Sequence, residues 1–427
     1  MAATTVFALS SGQPPSGIAV VRISGPAARN SLLFLTGRQL PLARRATLRR
    51  LIDPGTNDLL DQALVLWLPG PDTVTGEDMA ELHLHGSRAV VDAVLDTLGQ
   101  IEGLEPAKPG AFTRRAFENG RMDLSQIEGL ADLLAAETAA QRRSAIALEE
   151  GALGRLVTDW RKAVLAVSAQ IEAQLDHVDE EDAQQSPDTA CIAVLVSEAR
   201  HWLHAPSAER LRNGIRVVLA GPPNAGKSSL LNALIGRDAA IVSPNAGTTR
   251  DIIEAPVTLN GIPFLFIDTA GLHEAGHDCI EVEGMNRARA ALESADIILW
   301  LGAKETMPDD SRYLLICAKI DLAPVDPHNL GVAVSSHTGE GLPELHLRIG
   351  ALAHSLVPPS SSFAINTRQR KHIGEFAHAL ARASEETDLL LIAEHLRHAR
   401  AALDLLVGRT GVEDVLDALF AGFCIGK

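Results

Sequence analysis

The chain has 427 residues, is 46% apolar and carries a formal charge of −16. That length exceeds one ordinary core and predicts two or three domains, while no apolar run approaches the ~20 residues a membrane-spanning helix needs. Residues 1 to 121 hold 12 Lys/Arg and 12 Asp/Glu, so the acidic excess lies downstream; this argues against broad nonspecific nucleic-acid binding and leaves any RNA substrate to a local basic patch or a partner protein.

Met1 to Ser11 lacks the basic and apolar regions of a secretory signal, which leads to an expected cytoplasmic location. Cys191, Cys279, Cys317 and Cys424 stand far apart with no metal-ligand spacing, so neither a disulfide framework nor a zinc site is expected. From residue 4 to about 118, short apolar runs (Ile18 to Ile23, Ala63 to Leu68, Glu81 to Leu84) alternate with Gly/Pro turns and one helical stretch near Arg88 to Leu98. This pattern predicts a small α+β domain. From Asp123 onward Leu124, Ile127, Ala131 and Leu134, then Leu153, Leu156, Trp160, Val164, Val167 and Ile171, recur at helical steps, predicting long amphipathic helices. Asp176 to Asp188 reads as an exposed loop before a helix over Ala190 to His204.

At Gly214 the texture turns to βα, with strands expected at Ile215 to Ala220, Ile262 to Ile267, Ile297 to Leu301, Leu314 to Ala318 and Val332 to Val334. A mostly parallel sheet with crossover helices follows. After Pro358 and Pro359, helices are expected over Thr367 to Glu386, Asp388 to Val407 and Val412 to Phe420. Alone they make a thin core, so they are expected to pack on the helices before Gly214, with the α/β domain inserted between.

Gly221-Pro222-Pro223-Asn224-Ala225-Gly226-Lys227-Ser228 fits G-x-x-x-x-G-K-[ST] between a strand and a helix over Ser229 to Ile235. In that context glycines close backbone N–H groups around phosphates, Lys227 reaches the β and γ phosphates, and Ser228 ligates magnesium. Asp321, in Ala318-Lys319-Ile320-Asp321, selects guanine over adenine because its carboxylate accepts from guanine N1–H and the 2-amino group. GTPases usually carry Asn where Ala318 stands. Ser335-Ser336-His337 after the next strand resembles the loop that closes over guanine. Thr249, in Gly247-Thr248-Thr249-Arg250-Asp251, completes magnesium coordination; Asp268, in Asp268-Thr269-Ala270-Gly271, holds the magnesium through water, and the Gly271 N–H senses the γ phosphate.

Many small GTPases orient the attacking water with a Gln just after Asp-x-x-Gly; here that residue is Leu272, which cannot. Glu274, Glu281 and Glu283 are the nearby carboxylates, either for this task or as a solvated segment. A monovalent cation beside the phosphates would supply charge, with the Asn224 amide oxygen as a ligand.

Across residues 4 to 427 the chain resembles the MnmE (TrmE) family of tRNA-modification GTPases. The resemblance rests on Gly17 to Gly25, Thr75-Gly76-Glu77-Asp78 through Glu81 and His85-Gly86, Pro109 to Thr113, Asn119 to Leu124, the nucleotide motifs, and terminal Cys424-Ile425-Gly426-Lys427. It implies four segments: an α+β folate-binding and dimerisation domain at 1–118, helical parts at 119–212 and 357–427, and an inserted Ras-like G domain at 213–356. It implies a homodimer whose GTP hydrolysis needs K+ and Mg2+. With a flavin-dependent partner of the MnmG (GidA) type, in a heterotetramer, it implies addition of an aminomethyl or carboxymethylaminomethyl group to C5 of the wobble uridine of certain tRNAs. The one-carbon unit would come from 5-formyl-tetrahydrofolate or a related folate, with FAD and NADH on the partner.

The implied folate contacts are Arg22, Glu81, Arg121 and Lys427, with Lys usual at position 121. The implied potassium ligands are Asn224, Ser243, Asn245 and Thr248, the second and third departing from the commonest types, and Glu281 is the implied water-orienting acid. Ser229 completes the implied nucleotide contacts, and Cys424 is an implied thiol near the one-carbon site. Two competing readings are a ribosome-assembly GTPase, which requires a basic RNA-binding module after the G domain, and a stand-alone folate-dependent methyltransferase, which leaves the G domain unexplained.

Overall fold

A computed structural model describes residues 4–37, 40–176, 190–238, 240–241, 253–268, 286, 288–322, 331–359, 362–410, 413–423 and 425–426. Contacts divide the chain into two units, Met1–Ala131 with Val407–Lys427, and Asp132–Leu406. No described helix is long and apolar enough to cross a membrane.

The first unit is built on a six-stranded sheet of β1 (Thr5–Leu9), β2 (Ile18–Ser24), β3 (Thr47–Ile52), β4 (Leu59–Leu68), β5 (Met79–His85) and β6 (Leu104–Pro106), in the order β3-β4-β5-β2-β1-β6. Neighbours run antiparallel except β1 and β6. Side chains alternate along each strand, so Ala19, Val21 and Ile23, with Ala80, Leu82 and Leu84, enter a core covered by Leu32, Leu35, Val91, Val94 and Leu98 of the helices Ala28–Thr36 and Arg88–Gly99. Each fully buried side chain of this kind contributes roughly 1.5–3 kcal/mol. A slip of one residue would exchange Val21 for Arg22 in that core, so burial fixes the register. The register sets Arg22 opposite Glu81.

Sequence patterning finds β2, β4, β5 and the helix Arg88–Gly99, but not β1, β3, β6 or the helices Ala28–Thr36 and Ala111–Glu118. The last helix, Glu413–Ala421, buries Leu416 and Phe420, and Phe423 beyond it, against Leu124 and Ile127. Gly426 then crosses β1 at φ +99 with its carbonyl accepting from Ser10 Oγ at 2.9 Å. A Cβ there would lie 2.3 Å from the Leu9 carbonyl oxygen, so only glycine fits this approach.

In the second unit, helices from both sides of the α/β domain form one bundle: Ala152–Asp176, Ala190–His204, Thr367–Glu385 and Leu389–Leu406. Trp160 stacks on Phe376 at 5.1 Å and donates from Nε1 to Glu198 at 2.7 Å, joining three of the four. The inserted arrangement expected from the thinness of the C-terminal helices is thus observed. The helical texture after Asp123 resolves into Leu124–Leu134, Ala139–Glu149 and Ala152–Asp176, the second opened by a capping box of Thr138 and Gln141.

The inserted sheet has β7 (Ile215–Ala220), β8 (Ala240–Ile241), β9 (Ile253–Leu259), β10 (Ile262–Asp268), β11 (Ile297–Trp300), β12 (Tyr313–Ala318) and β13 (Val332–Val334), in the order β13-β12-β11-β7-β10-β9-β8. It is parallel from β13 to β10, and β9 and β8 extend it antiparallel. β10 lies where the apolar run Ile262 to Ile267 predicts it, whereas β9 has no such run because it carries Glu254 and Pro256. The signal for their hairpin is the turn Asn260-Gly261, both left-handed at φ 52 and 76, a pair that fits a two-residue hairpin loop.

Candidate nucleotide site

The site gathers at the C-terminal ends of β7, β10, β12 and β13, where a parallel α/β sheet opens a crevice. After Ala220 the chain turns through Gly221 at φ 148, Asn224 at φ 61 and Gly226 at φ 99 into the helix Lys227–Asp238. A Cβ on Gly221 would stand 3.0 Å from the Leu301 backbone, so the loop needs glycine to pass the end of β11. The helix N-terminus directs its free N–H groups and positive dipole end into the loop. Ser229 lies exposed in its first turn, and Ala225 packs against the sheet core.

Lys227 is 4% exposed, and its Nζ donates to the Gly221 and Pro222 carbonyls at 2.9 and 3.0 Å. Burial lowers its pKa and the Asp268 charge opposes that shift. Asp268, 1% exposed, ends β10 opposite Leu219, so strand pairing alone carries it to the loop. Ser228 Oγ donates to Asp268 Oδ2 at 2.6 Å. A hydroxyl and a buried carboxylate in contact beside a phosphate-binding turn form the hard oxygen donor set that Mg2+ takes.

The segments after β12 and β13 are tied to the same loop. Lys319, left-handed at φ 63, donates from Nζ to the Asn224 carbonyl at 2.6 Å. A hydrogen bond from the Ser335 side chain, aided by His337 and Lys319, holds the Asp321 carboxyl below its usual range. Ser335 is fully buried, and its Oγ also accepts from Thr338 N at 3.1 Å, so the β13 loop fixes the rotamer that meets Asp321. Ser336 follows half-buried. Ala318 ends β12 with its methyl against the sheet core and offers no amide.

Ser243, Asn245, Thr248, Thr249, Gly271 and Glu281, with Cys424 and Lys427, lie outside the described residues.

A second constellation occupies the first unit. Arg22 donates from Nε and Nη2 to Glu81 Oε1 at 3.1 and 3.0 Å, with the side chains 18% and 19% exposed. Its guanidinium lies 5.7 Å over the Phe112 ring. Arg121 is near Asp72, at 3.9 Å, and has no described contact with Arg22 or Glu81. Two neighbours escape the sequence reading. His83 Nε2 sits 3.5 Å from Glu81 Oε2, one alternation along β5. Glu77 accepts from Arg115 and Ser24, each at 2.8 Å; only its place in Thr75-Gly76-Glu77-Asp78 hints at this. At the end of β5, His85 meets buried Asp61 of β4, which accepts from His85 N and Nδ1 at 2.8 and 2.7 Å. Burial pushes its carboxyl up, but these hydrogen bonds outweigh it and hold the pKa below the ordinary value.

Residues 5–121 match the family model described as GTP-binding protein TrmE N-terminus, and residues 124–424 match the MnmE helical domain. The chain is 56% identical to a tRNA modification GTPase MnmE of Rhizorhabdus wittichii, covering 100% of this chain and 97% of that one. It is 51% identical to the same-named protein of Zymomonas mobilis, covering 99% and 100%. Among solved structures, the G domain of the T. maritima FeoB iron transporter is 30% identical over 33% of this chain and 98% of that chain, with a TM-score of 0.25. With both family models matched in sequence and relatives aligned from end to end, the chain belongs to the MnmE (TrmE) family of tRNA-modification GTPases.

Proposed function

We propose that this chain hydrolyses GTP to drive modification at C5 of the wobble uridine of certain tRNAs. The observation that carries the reading is the convergence of Lys227, the Ser228–Asp268 contact and the Ser335-held Asp321 around one loop. Lys227 moves from carbonyl acceptors to β and γ phosphate oxygens, exchanging neutral partners for charged ones. Asp321 takes the two donors of the guanine edge, and Lys319 keeps that loop against the phosphate loop. Ser228, Thr249 and Asp268 would hold Mg2+, which would neutralise phosphate charge when bound. Leu272 leaves the water to another group, and Glu281 is assigned to orient it. Asn224, Ser243, Asn245 and Thr248 are assigned to a K+ ion that adds positive charge.

In the first unit, Arg22 and Glu81, with Arg121 and Lys427, are assigned to a tetrahydrofolate-type one-carbon carrier. A mostly buried guanidinium–carboxylate pair, its guanidinium over an aromatic ring, offers the donors, acceptor and flat surface that a pterin edge requires. Cys424 stands in the same terminal segment. We assign the chain to a cytoplasmic homodimer that works with a flavin-dependent subunit carrying FAD and NADH, and the four-part division at 118, 212 and 356 to its domains. The test is steady-state turnover of GTP and ATP in potassium and in sodium, for the natural chain and Glu281→Ala. GTP turnover that needs potassium and Glu281 is expected. A preference for ATP defeats the guanine reading, and equal rates in both salts defeat the cation.

A further inference from the structure

The first 52 residues contain seven arginines, no lysine and no acidic residue, in a chain of formal charge −16. Arg44, Arg45, Arg49 and Arg50 fall in β3 or just before it. β3 is the edge of its sheet and pairs, among the described residues, with β4 alone. Its Leu51 enters the core, so alternation turns Arg49 toward one face of the edge and Arg50 toward the other. Arg45 and Arg50 are exposed. Among the described residues none of the four makes an ion pair with a carboxylate. Arg44 donates to the Asp72 backbone carbonyl, Arg49 Nη1 donates to the Leu48 carbonyl at 3.2 Å, and Arg49 Nε is buried without a partner.

Edge strands are often charged to prevent pairing with another chain, and lysine serves especially well. An all-arginine set without counter-charge does something more specific, because the planar guanidinium donates in pairs to phosphate oxygens and is weakly hydrated. Elsewhere the excess of acid repels a polyanion, so a cationic strip of this kind decides where one approaches. We propose that the strip Leu42 to Arg50 docks on the phosphodiester backbone of the RNA substrate. It sets position and orientation and carries no base specificity. The inference rests on the family assignment and is independent of the folate and potassium readings.

The test is binding of an unmodified tRNA transcript to the full-length protein by fluorescence anisotropy, titrated across about 50–200 mM salt. Arg45→Ala/Arg50→Ala is expected to weaken binding about 10-fold at low salt and to flatten the slope of log affinity against log salt by nearly 2. Arg45→Glu/Arg50→Glu weakens it further, and Arg45→Lys/Arg50→Lys keeps the slope. GTP turnover stays unchanged in all three, separating the effect from misfolding and from the nucleotide site. The proposal is overturned by unchanged affinity and slope, or by no binding of tRNA to the natural chain. Variants that change the oligomeric state while keeping tRNA affinity overturn it in favour of a second copy on this edge. Loss of binding to an acidic peptide with tRNA retained overturns it in favour of a protein partner.

Discussion

The two sheets build their sites in different ways. In the inserted sheet the candidate groups come from the ends of parallel strands: Lys227 after β7, Asp268 ending β10, Asp321 after β12 and Ser335 after β13. In the first unit Arg22 and Glu81 face each other from the middles of antiparallel strands. A strand-end site leaves the sheet's hydrogen bonding intact whatever its loops carry, so each motif is local and readable. A mid-strand site exists only once register is set, because the partners lie 59 residues apart.

This contrast is broken or sharpened by three measurements. The largest effect is expected for Lys227→Ala, which should lower GTP turnover by about 10²–10³-fold, the usual consequence of deleting one preorganised donor to transition-state charge, while leaving tetrahydrofolate binding unchanged. Steady-state kinetics and calorimetry on one sample check both halves. Next, Arg22→Ala should weaken tetrahydrofolate binding about 10–150-fold, the equivalent of a charged hydrogen bond worth ~1.5–3 kcal/mol, with GTP turnover intact; unchanged calorimetric affinity would remove the mid-strand site.

The smallest effect concerns the strand end that holds Asp61. Its carboxyl has a folded pKa below its unfolded one, so its stabilisation is present above the unfolded value near pH 4 and is lost as pH falls through the folded value. Asp61→Asn should therefore cost about 1–2 kcal/mol at neutral pH. That deficit should shrink in thermal melts taken progressively below pH 4, and a deficit independent of pH would mean that packing, not the charge, is what the substitution removes.

Much of the nucleotide site is legible in the sequence. The run Ile215–Ala220 is apolar apart from the half-buried Arg216 near its start, as suits a strand covered on both faces, and the glycine turn follows it directly. β9 is missed because Glu254 and Pro256 interrupt it, although Asn260-Gly261 marks the turn into β10. β3 is missed for a related reason: Arg49 and Arg50 break its apolar pattern, and an edge strand has less to bury.

By itself the sequence determined the glycine turn between β7 and its helix, the helical periodicity and the family, because each depends on residues adjacent along the chain or on a fixed order of short motifs. Only the tertiary structure decided that Ser228 meets Asp268, that Ser335 bonds Asp321, that His83 stands beside Glu81 and Glu77 beside Arg115, and that a run of arginines forms a sheet edge. Those facts depend on strand order and register, which are set by burial summed over a whole sheet and not by any local run of residues.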